Sequence, residues 1–299
     1  MTPDDATAAK LPTWNLADLY AGPDAPEVER DLQDAAAKAA DFHRQYEGKL
    51  ASLGGAEFLG AINAYEKISE ILGRVGSYAQ LLYAGDMSNV EYGRFQQNIN
   101  ERSTEISLQT LFFSLEINKL EDSDIAAKLK HAPLQRYKPW LDAVRSFRPH
   151  QLSDEIEKLL HEKDVVGRQA WMRLFDETMA ELRFDVAGKK LTSNEALNLM
   201  YEQDGAKRKE AAEGLTKGFK ESQRVFALVT NTLAKEKEID DKWRKFARPV
   251  SSRNLANQVE DEVVDALVSA VKASYPKLSH RYYKLKAKWL GLPKLNFWD

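Results

Sequence analysis

Cysteine is absent from the 299 residues. That excludes a disulfide framework, a thiolate metal site and a cysteine nucleophile, and it agrees with a reducing cytoplasm. Histidine is scarce: His43, His131, His150, His161 and His280 are the full set. No two stand three or four apart, so no local pair of imidazoles can chelate a metal. No run approaches the roughly 18 apolar residues that would span a bilayer. The opening MTPDDATAAKLPTW is acidic and polar where a secretory signal would be basic and then apolar. A soluble cytoplasmic protein with no membrane partner is the expectation. There is no Gly-x-Ser-x-Gly elbow, and GAKRKEAAEG lacks the order of a phosphate loop. The net charge of −3 exerts no general pull on nucleic acid or anionic lipid.

What is present is helical periodicity. Charged residues are 30% and hydrophobic residues 43% of the chain, a balance that folds, at a length that suits two domains or one large helical body. Phe58, Ile62, Tyr65, Ile68, Leu72, Val75, Ala79 and Leu82 form one stripe. AGDMSNVEYG supplies a turn. A second stripe, Tyr92, Phe95, Ile99, Ile106, Phe113, Ile117 and Leu120, completes an antiparallel hairpin of helices. Prolines 133, 139 and 149 cut the next segment into short pieces, and a helix restarts near Ser153 with Ile156, Leu159 and Leu160 as its buried side.

The β signal is ELRFDVAGKKLT, where Leu182, Phe184 and Val186 alternate with polar residues and Gly188 suits a turn. Thr192 and Glu195 have capping-box spacing for the helix that follows, whose face carries Leu215, Phe219, Phe226, Val229 and Leu233, with a break near Gly205. NQVEDEVVDALVSAVKASYP reads as a helix capped by Asn257, with Val259, Val263, Leu267 and Val271 as its stripe and Pro276 as its stop. A last helix runs from about His280 to Trp289 and closes at Gly291. The expected fold is mainly α, a multi-helical lobe of antiparallel helices with one small β-hairpin at about 182–192.

Three stretches could carry chemistry. LLHEKDVVG holds His161 and Glu162, the first half of a zinc-peptidase His-Glu-x-x-His, but the position that needs the second imidazole is Val165. A solvated helix end is the expectation there. Asp240–Asp241 and Glu260–Asp261–Glu262 read as exposed faces or termini, because neighbouring side chains on a helix diverge. From Ala266 to Trp298 there is no acidic residue, while Lys272, Lys277, Arg281, Lys284, Lys286, Lys288 and Lys294 interleave with Tyr275, Tyr282, Tyr283 and Trp289. Such a pattern can bind single-stranded nucleic acid. The helical spacing of Tyr282, Leu285 and Trp289 favours an aromatic inner face with lysines outside, and no nucleic-acid partner.

The stretches LRFDVAGKKLTSNEALNLMYEQDGAKRKEAAEGL and RPVSSRNLANQVEDEVVDALVSAVKASYPKLSHRYYKLKAKWLGLPKLNFWD resemble oligoendopeptidase F of the thimet-oligopeptidase-like M3 metallopeptidases. LPTWNLADLY and QLSDEIEKLL are similar to the same family, so the likeness runs from Leu11 to Asp299. Members of that family are roughly twice as long, and the resemblance is to their amino-terminal half only. It implies zinc-dependent hydrolysis of short peptides in the cytoplasm, with the metal ligands beyond Asp299. No catalytic, cofactor-binding or metal residue carries over onto this chain, which on its own is expected to be inactive and to hold no zinc. Residues 1–125 would be an amino-terminal helical hairpin region, 126–192 a segment of short helices and the β-hairpin, and 193–299 the first helices of the peptidase domain. A free-standing helical module for a peptide or protein is the alternative. A homodimer through an apolar surface left open is a further expectation.

Overall fold

The computed structural model describes residues 14–299; the polar opening at residues 1–13 lies outside them. The chain divides into two compact units. One holds residues up to Leu141 together with Ser153–Val165, the other Asp142–Leu152 together with Val166–Asp299.

The first unit is built on three long helices, α1 (Pro26–Tyr46), α2 (Gly55–Gly85) and α3 (Val90–Leu108). α1 goes unassigned in the sequence reading, yet its signals are present. Pro26 sits in the first turn with Glu27 and Glu29, and Val28, Leu32, Ala35, Ala39, Phe42 and Tyr46 are buried at steps of three and four. α2 starts where the Glu57 carboxylate accepts from the Gly54 N–H at 2.9 Å. It buries Phe58, Ile62, Ile68, Val75 and Ala79 of the expected stripe, and also Ile71, Tyr78 and Tyr83. The Asn89 side chain caps α3 by accepting from Glu91 N and Tyr92 N.

The second stripe is two helices, not one. α3 ends at Leu108 and α4 covers Leu111–Lys119. Gln109 N and Thr110 N donate to carbonyls three residues back, and the Thr110 hydroxyl takes the Ser107 carbonyl at 2.9 Å, so the ladder is interrupted from its own side chains. The kink sets Phe113 of α4 among Phe42, Tyr65 and Trp140, with ring centres 5.1–6.2 Å away. α5 (Asp122–Lys128), a 3-10 turn (Ala132–Tyr137) and α6 (Lys138–Ser146) follow, the prolines falling in short elements as expected.

A buried polar knot fixes the start of this unit. The Tyr20 hydroxyl donates to Asp31 Oδ2 at 2.8 Å, and Arg74 of α2 reaches the same oxygen at 2.5 Å. Burial pushes the Asp31 carboxyl up, but the Tyr20 hydroxyl and the Arg74 and Arg30 guanidiniums outweigh it, so its pKa is lowered.

α7 (Asp154–Lys163) starts at Ser153 as expected, without a side-chain cap bond. Its buried side is corrected: Leu159 and Leu160 are 53% and 40% exposed. The helix is held by its polar face, through Lys119–Asp154 at 2.5 Å and Lys158–Glu47 at 3.7 Å.

In the second unit α8 (Arg168–Glu181), also unassigned in the sequence reading, leads into β1 (Phe184–Val186) and β2 (Lys189–Leu191). The strands pair antiparallel with Phe184 opposite Leu191 and Val186 opposite Lys189. Both turn residues have positive φ, Ala187 at 53° and Gly188 at 75°. Thr192 and Glu195 form the expected capping box on α9 (Ser193–Asn198). α10 (Gly205–Glu221) lies against β1 at unusually short range. A Cβ on Gly214 would stand 2.6 Å from the Asp185 carbonyl oxygen, and one on Gly218 2.5 Å from the Phe184 ring. Phe184, Val186, Ala196, Ala211 and Leu215 make the core. Besides the break before Gly205, the helical region breaks again at Ser222, where α11 (Gln223–Trp243) begins.

α12 (Ser251–Ala256), α13 (Asp261–Ser274) and α14 (Ser279–Trp289) complete the chain. Glu260 takes the N-cap position of α13, whereas Asn257 ends α12. The stripe of α13 exists but is uncovered: Val263, Leu267 and Val271 are 54%, 63% and 44% exposed. On α14, Tyr282, Leu285 and Trp289 are likewise exposed, so the aromatic face is not an inner face. Among the described residues no helix is long and apolar enough to cross a membrane.

Three outcomes are expected. Gly214→Ala is expected to lower stability to urea by about 1–3 kcal/mol through overpacking against β1. Gly73→Ala, on α2 with open space around it, is expected to raise it by about 0.5–1 kcal/mol. Because the Asp31 pKa is depressed on folding, its stabilisation is full above the ordinary carboxylate value of about 3.9 and lost as pH falls through the folded value. The stability gap between the parent chain and Asp31→Asn should therefore close between neutral and strongly acid pH in urea titrations.

Candidate functional site

The last turn of α7 presents His161 to α3. Its Nε2 lies 2.7 Å from Ser107 Oγ, a contact that sequence reasoning missed because the two residues are 54 positions apart. A serine within reach of an imidazole suggests a nucleophile and its base. The proton inventory argues otherwise. Ser107 Oγ also lies 3.0 Å from the Thr104 carbonyl oxygen, which can only accept, so the single hydroxyl hydrogen goes there. Both bonds coexist when His161 donates from Nε2. A donor at that nitrogen cannot take a proton from serine. His161 is thus a half-buried tether rather than the solvated helix end expected, while Glu162 is exposed.

The other histidines are committed to local contacts or stand apart. His43 pairs with Glu47 at 3.0 Å. His150 donates from Nδ1 to the Arg244 carbonyl at 2.7 Å and stacks on Phe246 with ring centres 3.8 Å apart. His131 precedes the turn at Ala132–Tyr137, and His280 begins α14 beside Tyr275. Among the described residues no group of three or more His, Cys, Asp or Glu side chains could hold a metal ion. The zinc that the family resemblance implies does not fit the described residues of this chain.

The acidic pairs are more structural than expected. Asp241 is buried and bound by Lys237 within α11, and Asp240 accepts from Arg244 at 2.8 Å. Asp261 accepts from Asn254 at 2.7 Å and Ser251 at 3.0 Å, and Asp265 from Arg248 at 2.8 Å. The Asn254 and Ser251 hydrogen bonds hold the Asp261 carboxyl below its usual range, and the Arg248 guanidinium does the same for Asp265. Asp261 fastens α12 to α13, and Asp265 ties α13 to Arg248 just ahead of α12.

Each unit has a hollow. In the first, a groove of about 470 Å³ is lined by Phe112, Leu115 and Leu120 together with Glu47, Glu116, Lys119, Asp124, Asp154 and Lys158. Lys119 pairs with Asp154 and Lys158 with Glu47, so these charges are spent on one another. In the second, about 560 Å³ opens between Thr216, Lys217 and Lys220 of α10 and Phe297 and Trp298. Arg208 holds that wall in place. It is buried, and its guanidinium donates to the carbonyls of Glu202, Gln203 and Trp298 and to Asp299 Oδ1 at 2.8–3.0 Å.

A family profile described as Oligopeptidase F matches residues 116–184. Group B oligopeptidase PepB of Streptococcus agalactiae is 26% identical over 96% of this chain and 48% of its own length. Oligopeptidase PepF of Bacillus subtilis is 24% identical over 99% of this chain and 45% of its own. The chain is similar to proteins named oligopeptidase or oligoendopeptidase F. The crystal structure of oligoendopeptidase-F from Enterococcus faecium shares the fold with a TM-score of 0.78 at 23% identity, over 92% of this chain and 55% of that one. The mainly helical fold with one hairpin is therefore that of the oligoendopeptidase F relatives. The chain spans about half the length of the curated relatives it matches, and that half is the amino-terminal one.

For the Ser107–His161 contact, Ser107→Ala is expected to cost about 1 kcal/mol in urea unfolding. A fluorophosphonate probe is expected to leave Ser107 unmodified by intact-mass analysis; an adduct on Ser107 would mean that His161 accepts its proton after all.

Proposed function

We propose that this chain is the amino-terminal part of a zinc-dependent oligoendopeptidase that hydrolyses short peptides in the cytoplasm, and that its helices form a wall of the substrate channel. On this reading it supplies no catalytic, cofactor-binding or metal-binding residue. The His-Glu-x-x-His helix and its zinc belong to sequence beyond Asp299. Residues 1–125 and 126–192 form the wall, and 193–299 the first helices of the peptidase domain. The observation that carries this reading is the coverage: relatives named as oligopeptidases align with nearly all of this chain but with about half of themselves.

A free-standing helical module for a peptide or a protein is the second reading, favoured by the separate core that each unit possesses. The native gene product and the 299-residue chain separate the two. A product well above 33.9 kDa that cleaves quenched fluorescent peptides and loses activity to a chelator is the expected result. The 299-residue chain is expected to cleave none and to carry far less than one zinc per chain. Hydrolysis by that chain unaided, or one tightly held zinc in it, would overturn the proposal.

A further inference from the structure

A cation is out of place where Arg208 stands. It lies in the first turn of α10, beside the positive end of the helix dipole, and it is buried. Side chains on a helix lean towards its N-terminus, and the guanidinium accordingly reaches back past the helix start. Nη1 donates to the carbonyls of Glu202 at 3.0 Å and Gln203 at 2.9 Å, Nε to the carbonyl of Trp298 at 3.0 Å, and Nη2 to Asp299 Oδ1 at 2.8 Å. The other carboxylate oxygen, Oδ2, accepts from Asn296 N at 2.8 Å and Asn296 Nδ2 at 3.0 Å. The Asp299 N–H closes the turn on the Asn296 carbonyl at 3.1 Å. The Asn296 N–H, and Arg208 after it, hold the Asp299 carboxyl below its usual range against the effect of burial, so the pair is ionised at neutral pH. Both partners are withdrawn from water, with side chains 9% and 3% exposed.

An ion pair buried in this way adds little net stability over an apolar pair of the same shape, because desolvation takes back most of the attraction. What it supplies is geometry. One flat group holds a backbone carbonyl and a side chain on consecutive residues, which a point charge on a flexible stem does not do. The helix that carries it is set firmly in the second unit, since Gly214 and Gly218 of α10 leave room only for β1.

We propose that Arg208 is a positioning residue for hydrolysis: it registers the polypeptide after Asp299 against the core of α10 and β1, and so sets where the reacting groups stand. The proposal rests on the peptidase reading, in which those groups lie beyond Asp299. Arg208 touches no reacting atom and acts only through Trp298 and Asp299.

The test uses the native gene product with Arg208→Lys, which keeps the charge but cannot hold both residues. Hydrogen exchange over residues 292–299 is expected to quicken about tenfold, while α10 and β1 keep their protection. Against a quenched fluorescent peptide, kcat is expected to fall about tenfold, KM to stay within about twofold, and zinc content to match the parent. Asp299→Asn replaces one of the two accepting oxygens with a donor and is expected to act in the same direction, by about threefold. Should Arg208→Lys fail to fold, this second variant decides. A residue that only stabilised the fold would lower the unfolding midpoint and leave kcat per zinc-loaded molecule as it was, and that result would overturn the proposal. So would unchanged exchange over residues 292–299. In both cases the parent still cleaves the peptide and the peptidase reading survives. A parent that cleaves none removes that reading and this proposal together, so the parent alone tells the two failures apart.

Discussion

Burial of α2 on two sides is the constraint from which the first unit follows. A helix of 31 residues is about 46 Å long and cannot keep a stripe dry with one partner. α1 covers it through Val28, Leu32, Ala35 and Phe42, and α3 through Ile99 and Ile106. The alanines of α1 let the two backbones come close, and the aromatic residues Phe42 and Phe113 fill the end where α4 turns in. The knot of Tyr20, Asp31 and Arg74 adds little to this packing but decides which way the leading segment runs.

The second unit meets the same requirement less completely. Around the hairpin it is met fully, because Gly214 and Gly218 admit β1 to within contact of the α10 backbone and Phe184 is sealed there. Further along the chain the stripes continue while their cover stops. α13 has the apolar stripe of a core helix and the exposure of a surface one. That mismatch and the partial coverage of the oligopeptidases that the chain resembles are the two observations behind the proposed function.

Local signals were legible in the sequence. Thr192–Glu195, Gly291 and the alternation of Phe184 and Val186 each act on neighbours within four residues, and each appears in the structure as its chemistry demands. α1 and α8 went unread, in α1 because two of the six apolar residues of its stripe are alanine and contrast weakly with the polar side. The break at Thr110 depends on one hydroxyl competing for one carbonyl, which hydrophobic spacing does not register. Periodicity shows which side of α13 is apolar but not whether anything lies against it. In α7 it misled for Leu159 and Leu160, which stay exposed while ion pairs to distant residues tether the polar face. The Ser107–His161 contact and the return of residues 153–165 to the first unit are likewise products of distant chain segments meeting.

Arg208 carries a consequence of another kind. Its planar fork grips two carbonyls just ahead of α10 and the final two residues, some ninety positions later. The heading of the backbone at Asp299 is thus inherited from the first turn of α10, and any polypeptide joined there would depart along a bearing that one guanidinium prescribes.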